Sequence, residues 1–250
     1  MTTADQDRSG ARDGACAPGY HERVKAENRA RMIAAARDLF LAHGYDKTSL
    51  ARIAKEAKVS TGTLFKWYPS KAALFAAVAA EQWQLDEQYA EAPAPGDPRH
   101  GLTRIGRDYA CLLARPGTAA LCRLVITELP RMPELAHSVG TGFALDRGPF
   151  YERLRDYLEA ESRAGTLVLG AAGAAGAAGA AGAAGAGERP ASAVAEQFLG
   201  MICGQLLWPQ LIRDDFVPPD PVHSAIVDEA VTLVLARHLA ASSPLAEPRA

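Results

Sequence analysis

Residues 48–71, TSLARIAKEAKVSTGTLFKWYPSK, leave the chain few ways to fold locally: two short amphipathic helices fit them and an alternating strand does not. Leu50, Ile53, Ala54 and Ala57 fall at i, i+3, i+4 and i+7, which gathers them on one helical face, with Thr48 placed to cap it. A turn follows at Lys58 and Val59, and Ser60 is placed to cap a second helix. On that helix Leu64 and Tyr68 share the inward side, while Thr61, Gly62, Thr63, Phe65, Lys66 and Trp67 point elsewhere. Two helices joined in this way make a helix-turn-helix candidate. Small hydroxyl residues at the front of an exposed helix can approach base edges, and Lys47, Lys66 and Lys71 supply countercharge for phosphates.

Two such helices also occur in all-α proteins that never meet DNA, and charge separates the cases. Residues 20–75 hold eleven Lys and Arg against five Asp and Glu, a net of +6, whereas residues 76–250 carry −7 and the whole chain −2. A basic small domain joined to an acidic larger one implies that only the former meets a polyanion. A nucleoid-packing protein would spread its basic charge more widely. The expected partner is double-stranded DNA.

Residues 24–75 also resemble the N-terminal domain of TetR-family transcriptional repressors. The features that carry the resemblance are Phe40, Gly44 and Tyr45 closing a first helix, Thr48-Ser49 before the second, and Ile53-Ala54 within it. Val59-Ser60, Gly62, Leu64, Phe65, Tyr68 and Ser70-Lys71 around the third complete the pattern. The resemblance implies that Thr61, Gly62 and Thr63 face bases in the major groove, that Phe65 and Trp67 lie at the backbone, and that Lys71 sits on phosphate. One position departs from the pattern: Phe65 stands where a tyrosine is usual, so its contact must be apolar or pass to Lys66 and Trp67.

The first helix is expected from about Glu22 to His43, with Met32, Ile33, Ala36, Leu39 and Phe40 as its apolar stripe and Gly44 as its left-handed cap. A fourth helix should begin at Lys71 behind Ser70 and run through Leu74, Phe75, Val78 and Trp83 until APAPGDP at residues 92–98, bridging the two domains. Beyond it the pattern stays helical. Leu102, Ile105, Tyr109, Leu112 and Leu113 mark one helix, Leu121, Leu124, Val125, Ile126 and Leu129 the next, and Phe150, Leu154 and Leu158 a third behind Pro149. The fold class is all-α: a three-helix helix-turn-helix domain over residues 20–75, then a helical ligand-binding and dimerisation domain over residues 76–241. Residues 1–19 and 242–250 read as disordered polar ends. The Gly/Ala tract at residues 170–187 has no proline to support a collagen-like helix and reads as an inserted linker.

Residues 190–213 and 221–239 are apolar on more than one side, as expected of helices buried once in the subunit and again against a second copy. Leu199, Cys203, Leu207, Val227, Val231 and Leu235 are the candidate homodimer contacts. Residues 121–136 and 198–206 resemble AefR-like C-terminal domains of the TetR family, which implies dimerisation through the last two helices and a ligand cavity among those before them. Tyr109, Ile126, Tyr157 and Trp208 are the candidate cavity residues. An effector there should be neutral or cationic, since the region lacks a basic cluster.

No nucleophile motif, phosphate loop or metal-ligand spacing appears, so no catalytic residue, cofactor or metal is expected. Glu128 and Glu134 read as surface or capping carboxylates, and Cys111, Cys122 and Cys203 as reduced core thiols. No stretch is long and apolar enough to span a membrane, and the expected location is the cytoplasm. The whole points to a homodimeric, ligand-responsive repressor on a palindromic operator. A regulator that ignores ligands or activates, or an enzyme with a helix-turn-helix-like domain, is the alternative.

Overall fold

The computed structural model describes residues 20–84, 91–131, 148–169, 190–213, 216 and 218–240. Nine helices make up nearly all of these: α1 (Tyr20–His43), α2 (Leu50–Glu56), α3 (Thr61–Trp67), α4 (Lys71–Gln82), α5 (Pro98–Leu113), α6 (Thr118–Glu128), α7 (Pro149–Arg163), α8 (Pro190–Ile212) and α9 (Asp220–His238). Among the described residues the sole β pairing is an isolated bridge between Leu167 and Leu239. The all-α expectation holds. The polar end segments, the Gly/Ala tract and Glu134 lie outside the described residues.

The first three helices close on an aromatic centre. Met32, Ile33, Ala36 and Phe40 recur on one face of α1 and are buried. Gly44, at φ 79°, turns the chain out of α1 and donates its N–H to the Phe40 carbonyl at 2.8 Å. That turn delivers Tyr45 against Phe40, with centroids 5.5 Å apart, and Phe75 of α4 completes the cluster at 5.3 Å from Phe40 and 5.2 Å from Tyr45. Ile53 and Leu64, both fully buried, fix α2 and α3 to this core.

Thr48 does not cap α2, contrary to the sequence expectation. Ser49 does, accepting a hydrogen bond from the Arg52 N–H at 3.2 Å. Thr48 is buried, and its hydroxyl donates to the Gly44 carbonyl at 2.8 Å and approaches the Leu39 carbonyl at 3.2 Å. It therefore satisfies carbonyls freed at the end of α1.

In the C-terminal domain glycines set the closest approaches. A Cβ at Gly106 of α5 would lie 2.7 Å from Val227 Cγ1 and 3.0 Å from Phe198 Cζ, so α5, α8 and α9 meet there. At Gly101 a Cβ would fall 2.0 Å from the Tyr157 hydroxyl, which seats α7 on α5. The same hydroxyl reaches the Asp97 carbonyl at 3.1 Å and the fully buried Glu161 carboxylate, which also takes the Gly96 N–H at 3.0 Å and the Thr166 hydroxyl. The buried Arg153 pairs with Asp108 at 2.9 Å and donates to the Glu91 carbonyl at 3.1 Å.

The bridging helix is shorter than expected. α4 ends at Gln82, with the buried Trp83 as its C-cap, ahead of the proline-rich stretch. Gln82 donates to the Thr118 hydroxyl at 2.7 Å, and Thr118, fully buried, donates onward to the Leu112 carbonyl at 3.1 Å. A polar relay thus plugs the end of α4 into the α5–α6 turn.

Candidate nucleic-acid interface

The α2–α3 turn is built by backbone geometry. Lys58 adopts φ 55°, a left-handed conformation that usually falls to glycine, and Val59 N–H closes the turn on the Ala54 carbonyl at 3.0 Å. Ser60 then caps α3, accepting from Thr63 N–H at 3.0 Å, with its hydroxyl 2.8 Å from that of Thr63. Leu64 is fully buried and Tyr68 nearly so, and they hold α3 down. Thr61, Gly62, Phe65, Lys66 and Trp67 are exposed, as the spacing predicts.

Several of the sequence-derived candidates do structural work. Thr48 is too deep for its side chain to reach a phosphate. Ser60 and Thr63 engage one another, and Thr63 is half-buried. Lys71 is half-buried too: its ammonium donates to the Tyr45 carbonyl at 2.9 Å and lies 4.2 Å from the Tyr45 ring centroid, pinning α4 to the α1–α2 turn. Lys47 and Lys66 are exposed cations. Arg52, Lys55 and Lys58, which the motif reading did not single out, add three more exposed cations to α2 and its turn. Arg52 is oriented by His43, its guanidinium lying 2.7 Å from the imidazole Nε2.

The candidate cavity residues do not converge. Ile126 and Trp208 are 49% and 58% exposed, whereas Tyr109 and Tyr157 are buried. On α6 the inward positions are Leu121, Cys122, Val125 and Glu128, and Ile126 falls about 100° round from Val125. Trp208 is displaced in the same way from the Phe198, Ile202 and Leu206 stripe of α8. Tyr109 packs on Phe150 and hydrogen-bonds Cys203, and burial raises its hydroxyl pKa. Burial also pushes the Cys122 thiol up to about 12, while Cys111, expected in the core, is exposed. Glu128, expected at the surface, is buried with one carboxylate oxygen lacking a hydrogen bond among the described residues.

The candidate dimer residues need a similar correction. Leu207, Val227, Val231 and Leu235 are buried within the subunit and Leu199 and Cys203 half-buried, because α8 and α9 spend their second apolar face on α5 and α7. The faces they leave open carry Gly200, Gly204, Trp208 and Ile212 on α8, and Val222 and Leu233 on α9.

Residues 32–78 match the sequence model of the tetR family of bacterial regulatory proteins, and residues 100–181 match the C-terminal domain of AefR-like transcriptional repressors. An HTH-type transcriptional regulator of Mycobacterium bovis is 32% identical over 106 residues, 42% of this chain and 49% of that protein. The chain spans between 22% and 49% of the length of the curated relatives it matches. A TetR-family regulator of Mesorhizobium loti superposes with a TM-score of 0.64 at 20% identity, over 86% of this chain and 98% of that one. The flavonoid-responsive regulator FrrA superposes with a TM-score of 0.57 at 25% identity, over 90% of this chain and all of that one. Fold and exposed face together define a helical two-part protein with a helix-turn-helix head. The chain belongs to the TetR family, with an AefR-like C-terminal domain. Members of this family are transcriptional regulators rather than enzymes; they bind DNA, act as dimers and respond to ligands. No single described helix is long and apolar enough to cross a membrane, and no described group of His, Cys, Asp and Glu is placed to hold a metal ion.

Proposed function

We propose that this chain is a homodimeric, sequence-preferring repressor that binds a two-fold operator through α3 and releases it when a small molecule binds the C-terminal domain. The observation that carries the reading is the exposed face of α3: Thr61, Gly62, Phe65 and Lys66 stand free on a helix anchored by Leu64 and Tyr68, within a segment of net charge +6. Contacts specific to base edges fall to Thr61, Gly62 and Phe65. Lys47, Lys66 and Trp67 serve the phosphate backbone, joined by Arg52, Lys55 and Lys58. Lys71 acts through its hold on Tyr45, and Thr48 through the end of α1.

The reading head covers residues 20–75 and the effector and dimer domain residues 76–241, with α4 crossing the division. Gln82 and Thr118 form the polar joint through which movement of the second domain tilts α4. The exposed faces of α8 and α9, around Trp208, Ile212, Val222 and Leu233, form the subunit contact. That FrrA is flavonoid-responsive supports a small-molecule effector here, of a class left open.

Selection of bound duplexes from a randomised pool by the full chain tests the reading. A recovered motif with two inverted half-sites about 10 base pairs apart, centre to centre, is expected. Recovery of the pool without sequence enrichment contradicts it.

A further inference from the structure

α3 has seven residues and leaves two large apolar side chains in solvent, Phe65 at 48% and Trp67 at 39% exposed. Poor packing is not the cause, since the neighbouring Leu64 is fully buried. Phe65 follows Thr61 by four residues and Gly62 by three, so the three share one face, and Trp67 lies about 200° round from Phe65. Helical side chains lean toward the N-terminus, which carries the benzyl group over the turn of Thr61 and Gly62. At Gly62 the way is clear: among the described residues a Cβ there would meet only Ser60 Oγ, at 3.9 Å. The exposed ring thus belongs to the base-facing side of the helix.

A benzyl ring can neither donate nor accept an ordinary hydrogen bond, so it gains little from a phosphate or from the polar atoms of a base edge. In the major groove the one apolar group is the C5-methyl of thymine. Resting on the reading of α3 as the groove helix, we infer that Phe65 specifies a thymine in each operator half-site by covering its C5-methyl, and is a base reader rather than a backbone contact. Burying one methyl group is worth about fourfold in affinity, and two half-sites together about sixteenfold.

Deoxyuridine isolates this contact, because it keeps the Watson–Crick edge and O4 of thymine and lacks only the methyl. Each thymine of the selected duplex is replaced singly by deoxyuridine, and binding of the full chain is measured by fluorescence anisotropy. One position per half-site is expected to weaken the parent about fourfold. The Phe65→Ala variant, whose side chain lies outside the core, should bind thymine and deoxyuridine duplexes equally at that position and keep its preferences elsewhere. Absence of any uracil-sensitive position, or sensitivity that survives in Phe65→Ala, overturns the inference while leaving the DNA-binding reading intact. Failure of the selection to enrich any sequence overturns both.

Discussion

Gly62 has an ordinary helical backbone and space for a methyl group, so nothing among the described residues calls for glycine there. Glycine within a helix costs up to about 1 kcal/mol relative to alanine. In the proposed complex the open space receives bases approaching the helix, and opposite effects follow from one substitution. Gly62→Ala should raise the thermal midpoint and weaken operator binding, read by calorimetry and anisotropy on the same preparation; tighter or unchanged DNA binding would remove Gly62 from the interface. Thr48→Val makes the complementary case. It should cost about 1–3 kcal/mol of stability by leaving the Gly44 carbonyl without its donor, and leave the salt dependence of DNA binding unaltered. A reduced salt slope in a fully folded variant would return Thr48 to the phosphates. Periodicity alone put Thr48 at the cap; in the fold Ser49 takes that place because the Thr48 hydroxyl is engaged by the Gly44 and Leu39 carbonyls at the end of α1. Lys71 carries the same lesson: a lysine opening a helix looks solvated until Tyr45 folds beneath it.

At the scale of elements, periodicity predicted where helices lie better than what surrounds them. The termination of α1 at Gly44, the start of α7 at Pro149 and the α2–α3 turn were legible because each depends on local chemistry, a left-handed glycine, an N1 proline and a capping serine. Which apolar face of α8 and α9 stays open was not legible. Both faces have similar composition, and the choice is made by Gly106 of α5, far away in sequence, which admits Val227 and Phe198 to the core. The correction is testable by charge insertion. Trp208→Glu should give a folded monomer with about tenfold or greater loss of operator affinity, because it places a carboxylate in the proposed subunit contact. Val231→Glu should instead unfold the subunit, with a loss of about 3 kcal/mol or more, since Val231 is fully buried. Size-exclusion chromatography with circular dichroism distinguishes them, and a dimeric, fully active Trp208→Glu protein would move the contact elsewhere.

For the molecule as a whole, the division of charge is the organising fact. A head of +6 joined to a remainder of net negative charge concentrates attraction for DNA at one end, and in the proposed dimer two heads paired through the acidic domains turn modest single-site binding into recognition of a spaced pair. Gln82, Thr118 and Leu112 link the end of α4 to the second domain, and in the proposed dimer the distance between the two heads depends on how α4 leaves that domain. The most direct measurement is therefore operator binding against half-site spacing. Starting from the selected duplex, inserting about five base pairs between the half-sites rotates one by about half a turn. Affinity is expected to fall at least tenfold, to that of a duplex with one half-site, and to recover when about ten are inserted only if α4 can swing to the wider span. Equal affinity for the selected duplex, the half-turn insertion and a scrambled duplex would contradict it, because the chain would then be reading neither bases nor their spacing.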